Sequence, residues 1–480
     1  MSKFNTPTIG TKTVNKAGGA AFSQSAELEL VSILLTSFAN DTFYEKAEDK
    51  FDRMKNLLPH VDPLFAAKAA VYARKQFGMR SITHVLAGEL AKLISGKQWA
   101  KNFYTQIVNR PDDMLEIISY MQAGKNKLPN SMKKGFAKAF DSLGAYELAK
   151  YRGEGKALKL VDVVNMVHPV PTEKNAEALK ALVEGTLKST DTWETKLTQA
   201  GQGKESEEEK IEAKKEAWTE MVNSGKLGYF ALLRNLRNIM QADPSLEPKV
   251  IEQLTNKDKI RKSLVLPFRF FTAITELEKE NTSRKIISAI NTAAEISLSN
   301  VPSLPGRTLI AVDVSGSMIG RPSEIASMFG AVLFKATNSA MIIFSDNAKY
   351  MSLNPDDTLL SLSRGINFAT GGTNFHSIFE LATRANQKYD RIIILSDMQA
   401  WKSSSWGDNR TVQSSFLQYK QAMNVDSLLY SFDLAGYGSM QFPEKNVFCL
   451  AGFSDKIFSI MEVLEQDPNA LANTISSVEL

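Results

Sequence analysis

The spacing of apolar residues changes once along this chain, between residues 301 and 305, and this change divides the sequence into two parts. From about residue 22 to residue 300, apolar residues recur with a period near 3.6, as in residues 27–35 and 112–120, which is typical of amphipathic helices. Short breaks, several with proline, separate these segments. Successive helices with short connections predict stacked antiparallel helix pairs, an α-solenoid.

Beyond Pro302 and Pro305 the pattern becomes one of buried strands that alternate with helices. Apolar, β-rich runs lie at residues 308–314, 340–344, 391–395, 427–432 and 446–450, and helical segments at 324–337, 377–387 and 411–423. This alternation predicts parallel βαβ units in a doubly wound, Rossmann-like sheet. We therefore expect a flexible arm over residues 1–21, an all-α domain over 22–300 and an α/β domain over 301–480.

The charge of the chain is spread unevenly over these two parts. Of 57 lysines and arginines only 13 lie from Val301 onward, against 17 of the 53 aspartates and glutamates, so this part carries −4 and the preceding 300 residues carry +8. A basic helical part favours a polyanion as its partner. Lysine-rich, solvated helix faces would produce the same imbalance.

Three sequence features bear on the cellular compartment. No apolar run approaches the ~20 residues that a membrane-spanning helix needs, and residues 1–19 are polar, without the apolar core of a signal peptide. Cys449 is the only cysteine, which excludes an intramolecular disulfide and zinc sites with several cysteines. We therefore expect a cytoplasmic protein with no membrane partner.

Hydroxyl and carboxylate residues follow the predicted strands at the sheet edge where such folds bind ligands. Asp313, Ser315 and Ser317 follow the first strand, Asp397 follows the strand at 391–395, and Thr373 lies in a glycine-rich loop between them. These hard oxygen donors are the kind that Mg²⁺ prefers. The set resembles the metal-ion-dependent adhesion site of von Willebrand factor A domains, with all five positions in order.

That resemblance implies a bound Mg²⁺ or another divalent cation. It implies Ser315, Ser317 and Thr373 as direct or water-bridged ligands, with Asp313 and Asp397 acting largely through water. A capped loop cluster that holds no metal is the alternative.

Enzymatic readings of the same residues lack essential groups. Ser315 stands where a phosphatase of the Asp-x-Asp kind needs its second carboxylate, and neither a Gly-x-Ser-x-Gly nor a Walker A string occurs. His376 has no serine–acid pair organised around it in sequence, and we expect a surface or capping histidine. We therefore expect no enzyme.

The first 300 residues contain an ordered set of strings that resembles the TROVE module of Ro autoantigen proteins. These strings are YARKQFGMRS at 72–81, YRGEGKALKLVD at 151–162, VHP at 167–169, ALLRNLRNI at 231–239 and LPFRF at 266–270. The resemblance covers nearly the whole chain, because that family also ends in a von Willebrand factor A domain. It implies a HEAT-like solenoid that closes into a ring, takes single-stranded RNA ends through its hole and binds small Y RNAs on its outer surface.

The resemblance also implies particular RNA-binding residues. Lys150 and His168 match positions where the family contacts Y RNA, and the nearby basic residues Lys133, Lys134, Lys138 and Arg152 would extend that surface. Arg80 and Arg234 lie in matching strings and would contact RNA in the ring's cavity. Lysine and arginine attract phosphates, and arginine also stacks on bases. Ion pairing between stacked helices is the alternative for Arg234 and Arg237, and a capping role is the alternative for His168.

The function that these features favour is that of an RNA chaperone or ribonucleoprotein scaffold. It would hold small noncoding, Y-like RNAs and misfolded RNAs in RNA quality control or degradation, with an exoribonuclease such as polynucleotide phosphorylase as a partner. The alternative is a protein-interaction scaffold, in which the solenoid grips peptides and the metal site captures a partner's carboxylate.

Overall fold

Two short strands lie in the region expected to be a flexible arm. The computed structural model describes residues 12–14, 20–23, 25–36, 47–188, 190, 193–202, 204, 206–225, 227–278, 283–368, 371–399, 411–435, 439–440, 447–451, 458, 461, 475 and 477–480. In this structure, β1 (Lys12–Val14) pairs antiparallel with β2 (Ala20–Ser23). β2 also pairs with the distant residues Ser439 and Met440. These strands differ from the flexible arm expected here because β2 pairs with residues in the other part of the chain. A local sequence pattern does not reveal such a distant partner. The rest of the predicted arm, at 1–11 and 15–19, lies outside the described residues.

The helical domain consists of successive short helices. They are α1 (Ala26–Thr36), α2 (Ala47–Leu57), α3 (Pro63–Gln76), α4 (Ser81–Leu93), α5 (Ala100–Ile107), α6 (Pro111–Ala123), α7 (Asn130–Ala139), α8 (Ala145–Lys150), α9 (Leu160–Val167), α10 (Ala176–Val183), α11 (Trp193–Gly201), α12 (Glu207–Asn223), α13 (Tyr229–Ala242), α14 (Glu247–Leu254), α15 (Lys257–Ser263), α16 (Phe268–Glu278) and α17 (Arg284–Ser297). Several begin at sequence signals: Asp62, for example, accepts a hydrogen bond from the Leu64 amide at the start of α3, as an N-cap residue does.

The helices α1 to α7 and α9 pack in two rows, which is the arrangement of a HEAT-like solenoid. α1, α3, α5, α7 and α9 contact one another in succession, while α2, α4 and α6 form the second row. α5 and α7 approach each other closely, because a β-carbon on Gly135 would lie 2.5 Å from Tyr104 Cβ. Only glycine permits that packing distance.

The C-terminal domain is an open sheet with helices between its strands. Its elements are β3 (Arg307–Asp313), α18 (Arg321–Ala336), β4 (Asn338–Phe344), β5 (Ala348–Tyr350), α19 (Leu359–Arg364), α20 (His376–Arg384), β6 (Arg391–Ser396), α21 (Val412–Met423), β7 (Leu428–Asp433), β8 (Ser439–Met440) and β9 (Val447–Ala451). The sheet order is β5-β4-β3-β6-β7-β9. All neighbours are parallel except β4 and β5, which confirms the predicted doubly wound class.

The two domains share one hydrophobic core. At their junction the ring of Phe268 from α16 lies 5.8 Å from that of Phe329 on α18, and both contact Phe458. Lys335 of α18 forms an ion pair of 2.7 Å with Glu295 of α17. At its other end the helical run reaches the same domain, where α1 packs on β9. The solenoid is thus closed into a ring by contact of both its ends with the C-terminal domain.

No helix in the described part of the chain is both long and apolar enough to cross a membrane.

Candidate functional site

The predicted metal-site residues meet at one edge of the C-terminal sheet. Asp313 is the last residue of β3, and Asp397 directly follows the neighbouring parallel strand β6. The carboxyl ends of parallel neighbours lie side by side, which brings these two carboxylates to the same edge. The loop after β3 is held there because the Val314 amide donates to the Phe344 oxygen at the end of β4.

Hydrogen bonds fix the orientation of Asp313 and of the two serines beyond it. The Ser315 amide donates to Asp313 Oδ1 at 3.0 Å, and the Ser396 hydroxyl donates to Asp313 Oδ2 at 2.6 Å. The Ser315 and Ser317 hydroxyl oxygens lie 3.3 Å apart. Ser396 was not singled out in the sequence, although its position immediately before Asp397 was a usable signal.

Thr373 is held at this edge by an aspartate that sequence reasoning missed. Asp346, two residues after β4, accepts a hydrogen bond of 2.8 Å from the Gly372 amide. The Asn374 amide donates to the Ser345 oxygen at 2.7 Å on the other side of Thr373. Thr373 is buried, so its hydroxyl is confined to the loop next to the carboxyl end of β4.

Asp397 is a buried carboxylate with an unsatisfied oxygen. Its Oδ1 accepts from the Gln399 amide at 3.2 Å, whereas its Oδ2 is buried and has no hydrogen-bond partner among the described residues. Burial raises the pKa of both Asp397 and Asp313, and the charges of Asp313 and of Asp433, at the end of β7, raise the pKa of Asp397 further. Uncompensated buried carboxylates of this kind are stabilised by a cation.

The donor set therefore fits a hard divalent cation. Ser315, Ser317 and Thr373 would supply neutral oxygens, and Asp313 and Asp397 would supply the negative charge. No group of three or more His, Cys, Asp or Glu side chains is arranged as a metal site in the described part of the chain, so any such site depends on the hydroxyls. Cation binding itself stays a prediction.

His376 differs from the expected surface or capping histidine. It is 3% exposed, and its Nδ1 lies 2.8 Å from the Ser415 hydroxyl on α21. This hydrogen bond joins the first residue of α20 to α21, the helix that follows β6 along the chain, and so stabilises the C-terminal domain near the candidate metal site. Its burial was not visible in sequence because the partner is 39 residues away.

In the helical domain, two arginines share one carboxylate at the start of α6. Arg80 Nη2 lies 2.6 Å from Asp112 Oδ2, and Arg110 binds the same side chain through Nε at 2.9 Å. The guanidinium of Arg110 also lies 4.7 Å from the centre of the Tyr151 ring. Two guanidiniums on one carboxylate leave an excess positive charge here.

Lys150, at the end of α8, continues this basic cluster. Its ammonium lies between the rings of Tyr146 and Tyr151, at 5.7 and 5.8 Å from their centres, and 3.8 Å from a Glu194 oxygen. Burial alone would lower the pKa of Lys150, but the negative charge of Glu194 and the interactions with Tyr146 and Tyr151 together outweigh it and raise the pKa above its ordinary value. Lys150 therefore stays charged, next to a tyrosine that is 53% exposed.

Arg152 lies in a turn after α8, in the wall of a polar cleft of about 620 Å³ that Lys150, Tyr151 and Thr198 also line. Its guanidinium donates to the Leu187 oxygen and pairs with Glu154 at 2.8 Å. The turn requires Gly153, whose φ is +75° and whose β-carbon would lie 3.2 Å from the Leu158 oxygen. The cleft joins α6, α8 and α11, which no sequence pattern connected.

The remaining residues of the predicted outer surface are solvent-accessible. Lys133, Lys134 and Lys138 lie on α7, which packs beside α9; Lys138 pairs with Asp141 at 2.6 Å. His168 ends α9 with a left-handed backbone, φ +50°, and its side chain is exposed. The expected alternative of a cap thus describes its backbone, whereas its imidazole has no hydrogen-bond partner among the described residues.

A buried ion pair stands behind the basic cluster and fixes the start of α6. Arg74 binds Asp113 through Nε and Nη2 at 2.9–3.2 Å, and His84 Nε2 lies 2.9 Å from Asp113 Oδ1. Asp113 also accepts from the Asn109 and Arg110 amides at 2.9 Å. Arg74, although part of the string 72–81, therefore joins α3, α4 and α6 rather than facing a ligand.

Arg234 and Arg237 have different environments on α13. Arg237 lies 3.4 Å from Glu276 of α16, so the alternative of ion pairing between stacked helices holds for this residue. Arg234 is exposed and has no ion-pair partner among the described residues.

Comparisons with known proteins agree with this two-domain arrangement. The family model of the TROVE domain matches residues 40–215 and 186–315, and that of the Ro60 vWA domain matches residues 307–464. The RNA-binding protein RO60 of Deinococcus radiodurans is 21% identical over 445 residues, which are 81% of this chain and 83% of that protein. The crystal structure of the Deinococcus radiodurans RO (RSR) protein superimposes with a TM-score of 0.62 at 17% identity, covering 94% of this chain and 99% of that one.

A second group of relatives is much longer than this chain. Telomerase protein component 1 of Rattus norvegicus and of Mus musculus are 21% and 22% identical over 347 residues, which are 53% of this chain but 13% of those proteins. The TROVE matches together cover more than half of the chain. The chain therefore belongs to the TROVE family, with a C-terminal domain of the Ro60 von Willebrand factor A type.

Proposed function

We propose that this protein binds RNA through its helical domain and acts as an RNA chaperone or ribonucleoprotein scaffold. The observation that carries the proposal is the basic cluster of Arg80, Arg110 and Lys150, in which two guanidiniums share the single carboxylate of Asp112 beside tyrosine rings. Phosphates bind such excess positive charge, and aromatic rings next to it suit unpaired bases. RNA binding in the named relative from Deinococcus radiodurans supports the same function.

We propose two RNA-binding surfaces. Lys133, Lys134, Lys138 and His168 are accessible on the neighbouring helices α7 and α9, and with Lys150 and Arg152 they would bind a structured, Y-like small RNA. Arg234 lies on α13, in the other part of the solenoid, and would contact a single-stranded RNA end. Arg80 is partly held by Asp112, so RNA would have to compete with that carboxylate.

The C-terminal domain would hold Mg²⁺ or another divalent cation. The buried, unsatisfied Asp397 Oδ2 supports this assignment, because a cation would neutralise it together with Asp313. A bound cation would supply an open coordination position for an oxygen of a partner. An exoribonuclease such as polynucleotide phosphorylase is the partner we propose, since RNA held by the helical domain could then be passed on for degradation in the cytoplasm. We propose no catalytic role for the chain itself.

A protein-interaction scaffold is the second candidate. It is supported by an exposed apolar residue next to the candidate metal site: Ile319, two residues beyond Ser317, is 55% exposed. An apolar side chain next to a cation is suited to a partner that carries a carboxylate near an apolar residue.

The two candidates differ in what copurifies with the protein. We expect the ratio of absorbance at 260 and 280 nm of the purified protein to fall after ribonuclease treatment. Affinity for RNA should fall about 10³-fold or more between 50 and 200 mM salt if six or more phosphates are neutralised. A protein free of RNA whose RNA affinity is flat with salt would instead favour the protein-interaction scaffold.

A further inference from the structure

The helix α11 lines the polar cleft beside Lys150 but is held to the protein by little buried surface. None of its residues is buried as a whole. Its main packing partner is α12, where the indole rings of Trp193 and Trp218 stack with their centres 6.0 Å apart. Segments with few buried apolar contacts separate locally at a low cost in free energy. α11 can therefore leave the cleft while the rest of the solenoid stays folded.

The first turn of α11 places a carboxylate next to Lys150. Glu194 Oε1 lies 3.8 Å from the Lys150 ammonium nitrogen, which is within ion-pair distance but too long for a hydrogen bond. Another lysine of the cleft, Lys156, pairs at 3.0 Å with Glu116 of α6. The helix α6 has several buried residues, among them Leu115. Of these two carboxylates, only that of Glu194 is carried by a helix that can withdraw.

Both partners of this ion pair leave hydrogen-bonding capacity unused. An ammonium group has three donors, and the hydrogen bond of Lys150 to the Tyr146 hydroxyl is long, at 3.5 Å. Glu194 Oε2 is buried and has no hydrogen-bond partner among the described residues. The side chains of Lys150 and Glu194 are 27% and 43% exposed, and exposed ion pairs contribute little to stability. A phosphate brings several charged oxygens within hydrogen-bonding distance, so it would satisfy Lys150 better than Glu194 does.

We propose that Glu194 is an internal competitor of RNA at Lys150. In the free protein its carboxylate takes the place of an RNA phosphate, and α11 moves away with Glu194 when RNA binds. The contact therefore lowers the affinity of every RNA that uses Lys150, and a change that releases α11 raises it. This inference rests on the proposed RNA-binding function and adds to it a residue that regulates the surface around Lys150.

The test removes the charge of Glu194 and keeps the shape of the side chain. With a fluorescently labelled RNA stem-loop as probe, we expect Glu194→Gln in the full-length chain to bind about three- to fivefold more tightly than the wild type, near the upper limit of what an exposed ion pair contributes. Glu208→Gln is the matched control. Glu208 is an exposed glutamate of α12, so this variant has the same net charge and should bind as the wild type does.

A second substitution shows whether the gain depends on Lys150. The double variant Lys150→Ala, Glu194→Gln should bind the stem-loop as Lys150→Ala alone does, because no ammonium group is left for Glu194 to occupy. A gain that persists without Lys150 would show a long-range effect of charge and would overturn the inference.

Hydrogen exchange of the complex tests whether α11 moves. Binding of the stem-loop should speed the exchange of the α11 amides and slow that of the amides around Lys150. Slower or unchanged exchange of α11 would show that this helix stays in place, which contradicts the proposal.

The outcomes separate this inference from the proposed function. Weaker binding by Glu194→Gln would show that Glu194 orients Lys150 for RNA, and equal binding would show that the contact has no effect on RNA. Either result overturns the inference, while RNA binding by the wild type stands. Failure of the wild type to bind any RNA would overturn the proposed function itself.

Discussion

Lys50 of α2 donates its ammonium group to the backbone oxygen of Ala435, 3.0 Å away, two residues beyond the end of β7. Lysine is almost never fully buried without partners, yet Lys50 is 2% exposed. The Ala435 amide in turn donates a hydrogen bond of 3.0 Å to Asp433 Oδ1. The negative charge of Asp433 raises the pKa of Asp397. The start of the helical domain is therefore bonded to the sheet edge that carries the candidate metal site.

Loss of this bond should destabilise the protein. We expect Lys50→Met to lower the free energy of unfolding by about 2 kcal/mol, because it leaves the Ala435 oxygen buried without this donor. Urea denaturation measures the change. Lys55→Met, at a partly exposed position on the same helix, is the control and should stay within about 0.5 kcal/mol. Equal stability of the two variants would show that the bond contributes little.

Acid should remove a stabilising contribution that Asp113 makes at the start of α6. Burial alone would raise the pKa of Asp113, but the hydrogen bond from His84 and the charge of Arg74 outweigh it and lower the pKa from 3.8 to about 2. Because this pKa is lower in the folded protein than in the unfolded chain, the ionised carboxylate stabilises the folded protein at every pH above the unfolded-state pKa. This contribution is lost as pH falls from about 4 to about 2. It amounts to about 2 kcal/mol.

Asp113→Asn is the variant that checks this contribution. It should be less stable than the wild type at neutral pH, and the difference in unfolding free energy should narrow between about pH 4 and pH 2. Asp356→Asn, at an exposed position, should follow the wild type throughout. A difference that stays constant down to about pH 2 would contradict the assigned pKa.

Magnesium should stabilise the protein through the C-terminal domain. A ligand that binds only the folded state adds about 2.7 kcal/mol at a concentration of 100 Kd, so the melting temperature should rise with added Mg²⁺. Asp313→Ala should abolish that rise and leave RNA affinity nearly intact, because the C-terminal part carries a net −4 charge. Asp356→Ala should keep the response.

Two other results would change the assignment of this site. Wild-type protein whose melting curve ignores Mg²⁺ and Mn²⁺ would support the capped loop cluster without a metal. Loss of both the Mg²⁺ response and RNA binding in Asp313→Ala would indicate that the cation contacts RNA phosphate directly.

Lys150 and His168 should affect RNA affinity much more than stability. We expect Lys150→Ala and His168→Ser each to weaken binding of a structured small RNA about fivefold or more, with the salt slope reduced by about one for Lys150→Ala. Both side chains are at least partly accessible, so the melting temperature should stay within a few degrees. Lys388→Ala, an exposed lysine of the C-terminal domain, is the control. A large loss of stability with unchanged affinity would assign these residues a structural role.

The strands and helices that were predicted from sequence are those with a strong local pattern. The apolar runs around Ile310 and Ile393 are buried on both faces of a parallel sheet, and continuous apolar runs reveal such strands. The strands β5 and β8 and the helix α19 are short and were not predicted, since their pairing or packing depends on distant residues.

The same distinction applies to the candidate sites. The residues of the candidate metal site were found because they follow strands in a known spacing, whereas Asp346 and Asp433 were missed because each acts through a neighbouring strand or loop. Glu194 was not singled out either, because its proximity to Lys150 arises only in the folded chain. Three-dimensional neighbours of this kind carry no signal in a single sequence.

The aromatic junction of Phe268, Phe329, Phe432 and Phe458 bears on how the chain unfolds. Two modules joined by a mobile linker would melt in two separate heat-capacity peaks. Here one apolar core crosses the boundary between the two modules. Separating the modules would therefore expose to water the aromatic rings that stabilise each of them. Calorimetry should accordingly show one cooperative transition, with equal calorimetric and van't Hoff enthalpies. Neither module could therefore be replaced by an unrelated one during evolution without changes in the side chains through which the other module packs against it.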